Sequence, residues 1–120
     1  MKFIDANVFI YRWNNPKVKE FVDSLEPGHY ATSVLVLAEV YHKLRILKID
    51  ASESYCREIM GIIKVLDITQ NDFFWALRSD LQIPINDRIH IATMKHHGLS
   101  TIISFDKDFD QDKTIIREEV

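Results

Sequence analysis

At 120 residues the chain has the length of one domain, and 47% hydrophobic and 28% charged residues with only three Gly and three Pro exclude disordered and collagen-like classes. No apolar run exceeds residues 34–38, Asp5 falls where a signal peptide would be apolar, and the lone Cys56 excludes an intrachain disulfide, so a cytoplasmic protein with no membrane partner is expected. A net charge of −3 excludes holding nucleic acid by bulk positive charge, although two bound divalent cations would reverse that sign.

Residues 2–6 read as a short strand interrupted by Asp5, and residues 8–11 can begin a helix capped by Asp5 or Asn7. Pro16 suits the first position of a helix that stops at Pro27-Gly28, residues 29–32 form a second strand, and a helix follows over 34–47. Asp50-Ala51-Ser52-Glu53 has the form of a capping box for a helix reaching about residue 63, and 64–68 read as a third strand. Thr69-Gln70-Asn71-Asp72 restarts the pattern. A helix covers 73–81, Pro84 breaks it, Asp87 caps a helix ending at Gly98, 101–105 form a β-branched strand and 114–117 an edge strand. Strands alternating with helices, and no hairpin turn between any two strands, imply right-handed βαβ crossovers. The expected class is α/β, a three-layer α/β/α sandwich with a mainly parallel central sheet, the whole of 1–120 forming one domain.

In open parallel sheets ligands bind beyond the carboxyl ends of the strands, which gives weight to acids at those places. Asp5 closes the first strand, Asp106 closes the fourth, and Asp87 starts the helix leading into the fourth. Glu39 lies in the second turn of the helix after strand two and can lean back to the same rim. Each has an ordinary alternative: Asp5 and Asp87 as helix caps, Glu39 paired with Lys43 one turn on, and the acids from Asp106 to Asp112 in a solvated turn. That last run is not a calcium loop, because its sixth position is Gln111 instead of Gly and its twelfth is Arg117 instead of Glu. His90, three residues after Asp87, reads as a packed histidine or a support for an acid.

Four strings taken in order resemble the PIN-domain family, and within it the small stand-alone VapC-type toxins. Phe3-Ile4-Asp5-Ala6-Asn7-Val8-Phe9-Ile10 is similar to the family's opening motif, and Ser33 followed six residues later by Glu39 is similar to its second. Asn86-Asp87-Arg88-Ile89-His90-Ile91-Ala92-Thr93 resembles the third, and Thr101-Ile102-Ile103-Ser104-Phe105-Asp106-Lys107-Asp108-Phe109 the fourth. The opening Asp-x-Asn differs from the Asp-x-Asp of haloacid dehalogenase-like phosphatases, and three glycines leave no room for a P-loop or a dinucleotide fingerprint.

The resemblance implies a catalytic and metal-binding quartet of Asp5, Glu39, Asp87 and Asp106, with Asp108 as a fifth metal ligand and Asn7, Ser33 and Ser104 as polar supports. It implies Mg²⁺ or Mn²⁺ as cofactor, which hard carboxylate oxygens suit. It further implies in-line attack of water on an RNA phosphodiester to leave a 5′-phosphate, a VapB-like antitoxin partner and a homodimer. Arg88, Lys107, Arg12 and Lys43 flank the acids in sequence and are the candidate contacts to the RNA backbone. Two other readings stay open at this point: a housekeeping PIN nuclease of RNA processing, and a PIN-fold binding module without catalysis.

Overall fold

The computed structural model describes all residues from Met1 to Val120. Five strands, β1 (Lys2–Ile4), β2 (Tyr30–Ser33), β3 (Lys64–Leu66), β4 (Thr101–Ile103) and β5 (Ile116–Glu118), form one sheet in the order β3-β2-β1-β4-β5. Every neighbouring pair is parallel, including the edge strand β5. The helices are α1 (Ala6–Tyr11), α2 (Pro16–Asp23), α3 (Val34–Ile46), α4 (Ser52–Ile62), α5 (Gln70–Arg78) and α6 (Ile85–His96), with a short 3-10 helix over Lys107–Gln111. None is long and apolar enough to cross a membrane.

From β1 the chain winds outward through β2 to β3, then returns across the sheet to β4. Because parallel crossovers are right-handed, the outward helices α1 to α4 and the returning helices α5 and α6 cover opposite faces. The winding direction reverses between β1 and β4, and that switch point leaves a crevice at the strands' carboxyl ends. Asp5 and Asp106 follow those two strands.

The three central strands, β2, β1 and β4, carry the core. Phe3, Ile4, Ala31 and Ile102 are fully buried, packed with Phe9, Val40, Leu44, Met94 and Phe109 from the helices. Each of these side chains larger than Ala31 contributes about 1.5–3 kcal/mol by leaving water.

Local chemistry sets the helix boundaries, with some departures from the sequence reading. Asn15 caps α2 by accepting from the Lys17 and Val18 amides, ahead of Pro16. The capping box falls at Thr69 and Asp72 instead of at 50–53, where Ala51 precedes α4 with no side-chain cap, and α5 therefore starts at Gln70, three residues earlier than its apolar pattern suggests. Helix α6 begins after Pro84, so Asp87 lies within its first turn and is not its cap. Gly98 ends the helix at φ 72°, a left-handed conformation that glycine adopts without a Cβ clash.

Candidate active site

Asp5 is the residue at which β1 becomes α1. Its Oδ1 accepts the Ala6 amide at 2.8 Å, and its Oδ2 accepts the Ser104 hydroxyl at 2.7 Å and the Asn7 Nδ2 at 3.3 Å. Ser104, just past β4, in turn accepts from Asn7 Nδ2 at 3.2 Å and from the Asp106 amide at 3.0 Å. Asn7 and Ser104 thus tie the ends of β1 and β4 together and fix both acids, as polar supports should. Asp106 caps the 3-10 helix, accepting the Asp108 amide at 2.9 Å.

Glu39 comes from the opposite wall. Its Oε1 lies 2.8 Å from His90 Nε2 on α6, and its Oε2 accepts from Asn86 Nδ2 at 3.4 Å. It does not pair with Lys43. Fully buried His90 also sits 3.9 Å from Asp5 Oδ1, so it stands between two carboxylates. Ser33 supports the site from behind: it is buried and caps α3 by accepting the Val36 amide at 3.1 Å, which anchors the helix bearing Glu39 without reaching the acids.

Asp5, Glu39, Asp87 and Asp106 line one cleft of about 480 Å³, with Asn7, Tyr11, His42, Lys43 and Asn86 among its other walls. Two sets of donor atoms lie within 4.8 Å of one another, one from Asp5, Asp87 and His90, the other from Asp87, Asp106 and Asp108. Asp87 belongs to both and shows the effect of crowding. Burial first, then the negative charges of Asp5, Asp106 and Glu39, push its carboxyl up to about 7 against the pull of His90. Burial also raises Asp5, although His90, Ser104 and the Ala6 amide favour its charged form. Burial opposes a charge on His90, but the Glu39 hydrogen bond and the nearby Asp5, Glu39 and Asp87 outweigh it and raise its pKa.

The four predicted acids therefore meet, while three of the four basic residues expected to flank them do not join. Arg12 forms a two-pronged pair with Asp23 at 2.8 and 3.3 Å and stacks on Trp13 and Tyr55, and so belongs to the α1–α2 packing. Arg88 turns to the far side of α6, where it donates to the Ser79 carbonyl at 3.3 Å. Lys107 is exposed on the 3-10 helix and does not line the cleft; Lys43 does. Asn86 and His42 were not singled out from sequence. Asn86 stands beside Asp87 in the third motif, but only the approach of α3 to α6 shows that it reaches Glu39.

A parallel sheet with carboxylates gathered at its switch point defines the class: an α/β domain with an acidic cleft suited to hard cations. The family model described as PIN domain matches residues 2–113, and the chain belongs to that family. It is 32% identical over 84 residues to ribonuclease VapC13 of Mycobacterium tuberculosis, an alignment spanning 66% of this chain and 64% of that protein's length. Its fold is shared with a toxin–antitoxin complex from Klebsiella pneumoniae, at 20% identity, a TM-score of 0.76 and full coverage of both chains. It is likewise shared with Mycobacterium tuberculosis VapC20, a sarcin-ricin loop cleaving toxin, at 21% identity and a TM-score of 0.75 over 92% of this chain and 94% of that one.

Proposed function

We propose that this protein is a divalent-metal-dependent endoribonuclease, the toxin of a toxin–antitoxin pair. The observation that carries the reading is the convergence of Asp5, Glu39, Asp87 and Asp106 on one cleft, where burial and the neighbouring acids outweigh the pull of His90 on Asp87. A cluster that keeps a carboxyl near neutrality has room for positive charge, and all the donors but His90 are hard oxygens of the kind Mg²⁺ and Mn²⁺ take. Asp5, Asp87 and Asp106, with Asp108 at the edge, would hold the ion. Bound there, the ion supplies positive charge that polarises the phosphodiester and acidifies a water.

The chain's own residues do the rest. Asn7 and Ser104 keep the Asp5 carboxylate aimed into the cleft, and His90 and Asn86 hold Glu39 against the opposite wall. Lys43 offers an ammonium at the rim for a backbone phosphate. Similarity to VapC13 and to the Klebsiella complex supports RNA as substrate and a VapB-like antitoxin as partner. Phe73 and Leu77, a turn apart on α5 and 45% and 57% exposed, support a homodimer by offering apolar area to a second copy, which light scattering would reveal.

The test is incubation of a mixed cellular RNA pool with the protein and Mg²⁺ or Mn²⁺, with EDTA and Asp5→Asn as controls. Discrete fragments bearing 5′-phosphates that vanish in both controls are expected. Fragments that persist in Asp5→Asn would show that another site cuts.

A further inference from the structure

The larger depression on the surface is not the acidic one. A groove of about 630 Å³ lies between α5 and α6, on the other side of the helix that carries Asp87 and His90. Arg88, Ile91, Ala92 and Lys95 line it at positions i, i+3, i+4 and i+7, so α6 forms one wall of each cleft.

Three permanently cationic side chains border this groove, Arg78, Arg88 and Lys95, and of these only Lys95 is paired with a carboxylate. Lys95 Nζ lies 2.8 Å from Asp112, and His96 Nδ1 lies 3.0 Å from Asp72. Arg78 and Arg88 have no carboxylate partner. Arg88 has the Ser79 carbonyl as its single acceptor, and its buried Nε–H has none. Arg78 stacks 5.6 Å from the Phe74 ring centre, which leaves the edge of its guanidinium free. Beside them Trp75 lines the groove with 57% of its surface exposed.

Unpaired guanidinium groups next to an exposed indole are the elements that hold single-stranded nucleic acid, the cations meeting phosphates and the ring stacking on a base. The carboxylate cleft also needs help of this kind, since four acids repel a polyanion and its lining has Lys43 as the one permanent cation.

We infer that the α5–α6 groove is an accessory binding site for the single-stranded RNA that enters the acidic cleft, with Trp75 stacking on a base and Arg78 and Arg88 contacting phosphates. It rests on the ribonuclease reading above for the identity of the polyanion. Arg88 thereby regains an RNA contact, one helix face away from where its sequence neighbour Asp87 works.

The test is equilibrium binding of a fluorescently labelled, unstructured oligoribonucleotide of about 12 nucleotides, within the known range of single-strand site sizes, in EDTA so that no cleavage occurs. Trp75→Ala is expected to weaken binding about tenfold, the scale of one lost base stack. Arg78→Gln with Arg88→Gln should flatten the log–log salt dependence by about 1.4, two contacts at about 0.7 each for a single strand. Arg78→Gln alone, at an exposed residue, should remove half of that change and guards against misfolding of the double variant. Unaltered affinity and salt slope in these variants would overturn the site. So would a Trp75→Ala protein that falls from dimer to monomer yet binds RNA as before, since the groove would then be a contact between copies. RNA held by the groove with no metal-dependent cleavage by the wild-type protein would sink the nuclease reading and leave the site standing. Cleavage with unchanged binding in the variants does the reverse.

Discussion

Asp72, Asp5 and Asp112 are all buried, at 2%, 5% and 9% exposure, yet the fold treats Asp5 differently from the other two. Asp72 receives the Thr69 amide at 2.9 Å and faces His96, and Asp112 receives Lys95 at 2.8 Å together with the amide and hydroxyl of Thr114. Although burial pushes the other way, those bonds hold the Asp112 carboxyl below its ordinary range. Asp5 is hydrogen-bonded too, but with Asp87 and Asp106 beside it there is no lysine or arginine paired to the cluster, and both Asp5 and Asp87 are raised. The chain can neutralise a buried carboxylate from its own residues. Where it does not, as at Asp87, crowding and burial push the carboxyl up towards neutral pH instead.

The sharpest way to break that contrast is to neutralise the crowded acids. Asp5→Asn or Asp87→Asn should lower RNA cleavage by about 10³-fold or more, since cation-stabilised charge amounts to several kcal/mol at about 1.4 kcal/mol per decade. A cleavage assay that finds either variant active would end the assignment of the quartet. Stability should move in opposite directions in the two regions. Asp72→Ala removes its half of the α5 capping box and the acceptor of the Thr69 amide, and urea denaturation should show a loss of about 1–2 kcal/mol. Asp87→Asn, measured in EDTA at pH 8, should instead be stabilising, by about 1 kcal/mol once solvent screening at this partly exposed group is allowed for.

The pH dependence sharpens the same point. A carboxyl raised in the folded state favours folding while it is protonated, so stability from Asp5 and Asp87 is present near pH 4 and is lost as pH rises through about 7 for Asp87. Metal-free protein should therefore melt progressively lower between pH 5 and 8. Adding Mn²⁺ at about 100 times its dissociation constant should return about 2.7 kcal/mol at pH 8, and a melting temperature indifferent to the ion would contradict the cation reading. Asp112, lowered, works the other way and weakens the fold only as acid protonates it. The smallest effect belongs to Ser33→Ala, which should remove about 1 kcal/mol from α3. If Glu39 is held by α3 as described, cleavage should fall only slightly in that variant.

Much of this was legible in the chain because it rests on local signals. Strand-then-acid at Asp5 and Asp106, Pro16 at the start of α2 and the Gly98 stop each depend on a few adjacent residues. Strand ends were read too long, as at 64–68 against Lys64–Leu66, because a β-branched or apolar residue says nothing about whether a neighbouring strand is there to bond it. Arg12 and Arg88 were misplaced for a related reason: proximity in sequence to an acid does not tell which way a side chain turns, and on a helix the next residue lies about 100° away. Arg12 is spent on Asp23, eleven residues along, and Arg88 faces α5.

By itself the sequence determined the alternation of strands and helices, the parallel class and the short list of acids, since these follow from hydrophobic period, caps and crossover handedness. The tertiary structure alone decided that β4 lies beside β1, so that Ser104 can bond Asp5 across 99 residues, and that α6 meets α3 through His90 and Glu39. It also decided which buried carboxylate meets a lysine, as Asp112 does, and which crowd against one another, as Asp5 and Asp87 do. Those outcomes depend on contacts between residues far apart in the chain, and no local pattern records them.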